Sequence, residues 1–137
     1  MTTRHVARAV ADTSANTPHW HVEIRTGAHA LAADEPSDNG GRDTGPSPFG
    51  LLISALASCT AMTLRMYAER KGWTLASIEV DARYNIGDDD TASIERTIAF
   101  PADLPAEQRE RLVEIAERTP VTIAVRRGTP ITTTTTP

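Results

Sequence analysis

The stretch Ser47-Pro48-Phe49-Gly50-Leu51-Leu52-Ile53-Ser54-Ala55-Leu56-Ala57-Ser58-Cys59-Thr60-Ala61-Met62-Thr63-Leu64-Arg65-Met66 decides the fold of this chain. Serine followed by proline is a helix start: the serine caps, and proline occupies the first helical position, where its missing N–H costs nothing. The spacing predicts a helix from there to about Lys71, stopped by Gly72 in a left-handed conformation. Its first four turns are apolar nearly all round, the pattern of a helix buried on every side. A chain of 137 residues can hardly wrap one helix completely, so burial against a second subunit is expected. The charged end, Arg65, Glu69, Arg70 and Lys71, belongs in solvent, its cations favourably placed at the C-terminal end of the helix dipole.

Upstream, Val6 to Ala11 and Trp20 to Thr26 read as strands joined by a polar turn over Asp12 to Pro18, with Trp20, Val22 and Ile24 on one face. A third short strand is expected from His29 to Ala33. The segment from Asp34 to Pro48 is dense in turn residues and lacks hydrophobic period, which marks a flexible or a functional loop. Downstream, Ile78, Val80, Ala82 and Tyr84 alternate with polar residues, and Ile94, Arg96, Ile98 and Phe100 continue the alternation across a turn at Gly87 to Asp90. Arg96 stands on an otherwise apolar face, so it needs a carboxylate, a carbonyl or a ligand. A second helix is expected from about Pro105 to Arg118 with Leu112, Ile115 and Ala116 inward. Thr119-Pro120 opens a short third one that ends at Gly128. Ile131 to about Thr134 reads as a last strand, with frayed ends over 1–5 and 133–137. Strands, a long helix, strands and helices in that order make an α+β fold with an antiparallel sheet, in one domain over 1–137.

Composition narrows the function classes. A net charge of −4 without a basic block argues against nucleic acid as a partner. No run approaches the roughly 18 apolar residues of a membrane span, and the first residues lack the hydrophobic segment of a signal peptide. A single cysteine and no export signal point to the cytoplasm.

That cysteine, Cys59, lies mid-way along the long helix. A thiolate is the most nucleophilic side chain available near neutral pH, yet a free cysteine more often packs as a small hydrophobe. With one thiol, no intrachain disulfide can form. Other constellations are weaker. His19-Trp20-His21 sets two imidazoles on one strand face, but no spacing supplies a third metal ligand, and solvated histidines are the simpler reading. Asp88-Asp89-Asp90 lacks the remaining positions of a calcium loop and fits a hairpin tip. Gly40-Gly41-Arg42-Asp43-Thr44-Gly45 has neither the following Lys-Ser/Thr nor the leading strand of a phosphate loop. No metal and no bound cofactor are therefore expected. Met62 and Met66, one helical turn apart, are core residues or, with Phe49, the lining of an apolar substrate pocket.

Taken together, Gly40 to Thr60, the run Arg65-Met66-Tyr67-Ala68-Glu69-Arg70-Lys71-Gly72-Trp73, the Ile94-Glu95-Arg96 strand, the helix at Ala106 to Leu112 and the Glu117-Arg118-Thr119-Pro120-Val121 junction resemble the OsmC/Ohr family (osmotically inducible and organic hydroperoxide resistance proteins), in its broad OsmC-like subgroup. The resemblance covers the chain from about Trp20 onward. It implies an intertwined homodimer with the long helix buried at its centre. It also implies reduction of organic hydroperoxides: a thiolate attacks the O–O bond, the sulfenic acid condenses with a second cysteine, and a dihydrolipoyl group or other dithiol reduces the disulfide.

Carried over residue by residue, the resemblance makes Cys59 the nucleophile. The resolving cysteine belongs where this chain has Thr119. The carboxylate expected nine or ten residues before the nucleophile falls on Gly50 or Phe49. The loop after the first strand, which carries the assisting arginine in the hydroperoxide reductases, holds none here. Arg8, Arg25 and Arg42 are the substitutes, and Arg25 is the one assigned as thiolate partner. The resemblance thus implies a one-cysteine, peroxiredoxin-like oxidoreductase that relies on an external thiol, or a domain that holds a small apolar or electrophilic ligand without peroxidase chemistry.

Overall fold

The computed structural model describes residues 2, 5–14 and 19–137. The polar turn expected after the first strand, and the frayed start, fall partly outside these residues. The chain forms two compact units, Met1–Leu52 and Ile53–Pro137.

The first unit is built on an antiparallel sheet of β1 (Ala7–Val10), β2 (Val22–Thr26) and β3 (His29–Ala33), in that order. Ile24 of β2 pairs with Ala9 of β1 and Leu31 of β3, which sets the half-buried Val22, Ile24 and Leu31 against the rest of the unit. Trp20 departs from expectation: it lies in a turn before β2 and is 55% exposed. The reason is register. Val22 pairs with Ala33, the last residue of β3, so residues before Val22 have no strand to pair with.

The loop beyond β3 is fastened, not slack. Asp34 is buried, and its carboxylate accepts hydrogen bonds from Thr44 Oγ1 at 2.6 Å, the Glu35 N–H at 2.7 Å, the Thr44 N–H at 3.1 Å and the Arg42 N–H at 3.4 Å. Its own N–H donates to the Pro46 carbonyl at 3.1 Å, and Asp43 N–H to the Glu35 carbonyl at 3.0 Å. Between them a single 3-10 turn, Ser37–Asn39, reverses the chain. Gly41 sits so close to the Glu35 carbonyl that a β-carbon there would collide with it, which is why glycine stands at this position.

Donors converging on a carboxylate favour its charged form. The Thr44 hydroxyl contributes most, and together with the backbone N–H groups it holds Asp34 down at about 2, against an ordinary 3.8. A carboxyl whose folded value is depressed contributes stability above its unfolded value and loses it as pH falls through the folded one. The loop should therefore stay closed at pH 4 and above and open between about pH 4 and pH 2. Amide exchange at Glu35 and Thr44 checks this: protection that collapses already above pH 5 would contradict it. Asp34→Asn should remove most of the pH dependence.

The helix α1 (Pro48–Arg70) begins as expected. Ser47 Oγ accepts the Gly50 N–H at 2.9 Å, and the Ser47 carbonyl accepts the Leu51 N–H at 2.9 Å. Gly72, at φ +72°, closes the far end in the left-handed region. Within the chain α1 buries one stripe only, Leu56, Thr60, Leu64 and Ala68, while Leu52, Met62 and Met66 stay exposed. A spacing of four residues places a stripe along one side of the helix. By length and composition α1 would also pass as a membrane span, a test that the core helix of a globular domain passes equally.

In the second unit, the hairpin of β4 (Glu79–Ile86) and β5 (Ala92–Ala99) pairs Val80 with Ile98, Ala82 with Arg96 and Tyr84 with Ile94 on its inner face. The helix α2 (Ala106–Ala116) contributes Leu112 and Ala116 to a core with Leu64 and Leu104, and Tyr67, Trp73, Ile78, Ile98, Phe100 and Ile115 pack around it. The helix α3 (Pro120–Arg127) follows at once. Beyond Gly128 the chain forms no regular element, so the strand expected over 131–134 is absent, and Ile131 is 90% exposed. A strand exists only where an edge pairs with it, and no described strand pairs with this segment.

Candidate functional site

Cys59 sits near the middle of α1, half-buried, with Thr63 Oγ1 at 3.9 Å from its sulfur. Residues three and seven positions further along a helix share its face. Met62 and Met66, 59% and 55% exposed, therefore stand beside Cys59 on the side of α1 that the chain leaves uncovered. The sulfur is not sealed in hydrocarbon. Beside this face Met62, Arg65, Leu75, Ser77 and Ile78 line a hollow of 330 Å³.

On the buried stripe of α1, at Thr60, the helix meets a polar cluster of the second unit. Arg96, with a side chain only 12% exposed, reaches from β5 toward α1, α2 and α3 together. Its Nη1 donates to Thr122 Oγ1 at 2.7 Å and to Thr60 Oγ1 at 3.0 Å; its Nη2 donates to the Ala116 carbonyl at 3.0 Å. Glu117 Oε1 stands 3.8 Å from Nη2, while its Oε2 accepts from Arg126 Nη2 at 2.6 Å. Thr60 in turn donates to the Leu56 carbonyl at 2.7 Å. A buried guanidinium demands acceptors of this kind, and every one of them lies within the second unit.

Thr119 belongs to the same cluster. It is fully buried, and its hydroxyl shares a hydrogen bond of 2.6 Å with that of Thr122. It precedes α3 in an extended conformation, as an N-cap does, but its side chain makes no capping bond. Its oxygen serves the Thr122–Arg96 cluster instead. The position implied for a resolving cysteine thus holds a hydroxyl that completes a polar network.

The remaining sequence candidates lie in the first unit. Arg25 is exposed on β2, in register with Ala30 of β3 and with Arg8 of β1. Two guanidinium groups directly opposite across a strand pair repel each other, so the pair calls for an anion. Phe49 stands in the first turn of α1, 53% exposed. His21 is half-buried, with Nδ1 at 2.7 Å from Thr44 Oγ1 and Nε2 at 2.8 Å from Glu23 Oε1. The Thr44 hydroxyl already donates to the ionised Asp34, so it accepts from the His21 Nδ1–H. His21 therefore braces the loop, whereas His19 packs on Trp20 with ring centroids 5.7 Å apart. Among the described residues no three of His, Cys, Asp and Glu converge as metal ligands would.

The OsmC-like protein family model matches residues 40–134, well over half of the chain. The chain belongs to the OsmC family. No curated protein sequence matches it. Among solved structures, this OsmC domain is similar to an OsmC-like protein from Mycoplasma pneumoniae, with TM-score 0.74, 15% identity and coverage of 92% of this chain and 89% of that one. It is also similar to an organic hydroperoxide resistance protein OsmC from Legionella pneumophila, at TM-score 0.69 and 18% identity, covering 92% and 91% of the two chains. The organic hydroperoxide resistance protein OhrB of Bacillus subtilis gives TM-score 0.60 and 21% identity over 90% and 91%. At these identities the likeness establishes the α+β OsmC fold and says nothing finer.

What the sequence did not single out in this OsmC domain is the polar framework. Thr60 and Thr122 are the partners of Arg96, and Asp34 is the anchor of the loop. A signal existed for the first two: each is a threonine in a helix, where a hydroxyl turned inward needs a partner.

Proposed function

We propose that this OsmC domain works as a homodimer that reduces organic hydroperoxides through Cys59 alone, with an external thiol closing the cycle. The observation that carries the reading is the placement of the sulfur: half-buried, on an uncovered apolar face of α1, beside Met62 and Met66. An apolar hydroperoxide fits such a surface, and so does a second copy of the chain that covers the rest of it. Arg25, in register with Arg8, is the proposed source of positive charge for the thiolate in that dimer.

The cycle balances without a second cysteine. The Cys59 thiolate attacks the terminal oxygen of ROOH; the O–O bond breaks, and RO⁻ takes a proton and leaves as ROH. A thiol R′SH then displaces water from the sulfenic acid to form a mixed disulfide. A second R′SH releases R′SSR′ and restores the thiol. A dithiol such as dihydrolipoamide supplies both sulfurs.

Cumene hydroperoxide consumption with dihydrolipoamide tests this. Cys59→Ser should fall to the rate without protein, and Arg25→Gln should slow the reaction by about tenfold, the loss of roughly 1.4 kcal/mol of charge stabilisation. Sedimentation should give twice the monomer mass. A Cys59→Ser variant as fast as wild type would end the proposal. A second reading, a ligand-holding domain with its relay lost, is favoured by one observation: Thr119 is locked into the Arg96 cluster. It would gain if the wild type were inert and only Thr119→Cys turned over.

A further inference from the structure

A second cavity, of 460 Å³, opens in the Ile53–Pro137 unit between the β4–β5 hairpin, α1 and α3, and Cys59 is not among the residues that line it. Part of its lining is hydrocarbon: Leu56, Ala92, Ile94 and Val125. The rest carries charge. Arg96 and Arg126 both border the cavity, and one carboxylate, Glu117, is shared between them at 3.8 Å and 2.6 Å. Two guanidinium groups against one carboxylate leave a net positive charge in a partly enclosed space, where an anion is held more firmly than in open water.

The two arginines differ in their freedom. Arg96 is committed to Thr60, Thr122 and the Ala116 carbonyl, so it is a fixed charge. Arg126 has a side chain 59% exposed and, among the described residues, bonds to the carbonyl and the carboxylate of Glu117, so it can turn part of its fork to an incoming group. Guanidinium matches carboxylate in geometry, which suits this lining to that anion. Ser93 adds a hydroxyl at the border of the same cavity. A volume of 460 Å³ lies within the range of small-molecule sites, mostly apolar with a few convergent polar groups.

We propose that this cavity binds a small organic carboxylate with an apolar body, its head on Arg126 and Arg96 and its tail along Leu56, Ile94 and Val125. The site is separate from Cys59, so it stands or falls independently of peroxide reduction. Octanoate is the probe, and titration calorimetry on the full chain is the measurement.

Octanoate should bind, and octanol should bind at least about tenfold more weakly, the loss expected when a charged hydrogen bond is removed. Arg126→Gln should weaken octanoate by a similar factor with the melting temperature little changed. Val125→Trp, which fills the cavity and touches no polar partner, should abolish binding. Cys59→Ser should bind octanoate as the wild type does. Octanol binding as tightly as octanoate would overturn the proposal, as would full binding by Val125→Trp. Loss of binding in Cys59→Ser would place the ligand at the sulfur and overturn it as well. Hydroperoxide turnover unaffected by saturating octanoate would confirm that the two sites are distinct.

Discussion

Replacing Arg96 by alanine should destabilise the second unit by about 3–5 kcal/mol, at roughly 1–3 kcal/mol for each buried acceptor that loses its charged donor. Part of this follows from what the guanidinium leaves behind. Thr122 loses its charged donor at 2.7 Å and Thr60 its charged donor at 3.0 Å, while the Ala116 carbonyl is left with only the Thr122 hydroxyl at 3.3 Å. A buried acceptor left unpaired carries its full desolvation cost. For a unit of this size the melting temperature should fall by more than about 12 °C. Arg96→Lys keeps the charge but not the planar fork, so it should recover only part of the loss. Glu117→Gln supplies the contrast. That carboxylate is 56% exposed, so its removal should cost no more than about 1 kcal/mol. Thermal unfolding of the three variants checks the order, and equal effects from Arg96→Ala and Glu117→Gln would refute the account.

The second large effect is expected in the hydrocarbon core. Leu64 of α1 and Leu112 of α2 are both fully buried and belong to one cluster with Leu104 and Ala116. Truncation of either to alanine should cost about 2–5 kcal/mol, for lost transfer energy together with the cavity left behind. Because the two share one cluster, the double variant should fall short of or exceed the sum by about 0.5–3 kcal/mol, the coupling usual for neighbours. Urea unfolding measures both. Met62→Ala on the uncovered face of α1 is the control, with little cost in an isolated chain and a larger one if a second copy covers that face.

How much of this was legible beforehand depends on the range over which each signal acts. The start of α1 at Ser47-Pro48 and its end at Gly72 could be read directly, because capping and left-handed turns are decided within four residues. The β4–β5 hairpin followed from alternation, and the demand of Arg96 for acceptors from its place on the apolar side of that alternation. Which acceptors answer it was not legible: Thr60 and Thr122 lie 36 and 26 residues away, and no local pattern links them. The Asp34 anchor escaped for the same reason, since Thr44 is ten residues distant across a stretch without period. The segment over 131–134 failed in the other direction. Its threonines favour extended backbone, but a strand also needs an edge to pair with, and composition does not announce one.

The fastening of the loop between β3 and α1 bears on kinetics. Asp34 binds it at 35, 42 and 44, and Gly41 lies against the Glu35 carbonyl without room for a side chain. Such a segment is a doorframe and not a door. Molecules reaching the N-terminal turns of α1 should arrive at rates set by diffusion and side-chain rotation, with no millisecond gating step contributed by this segment.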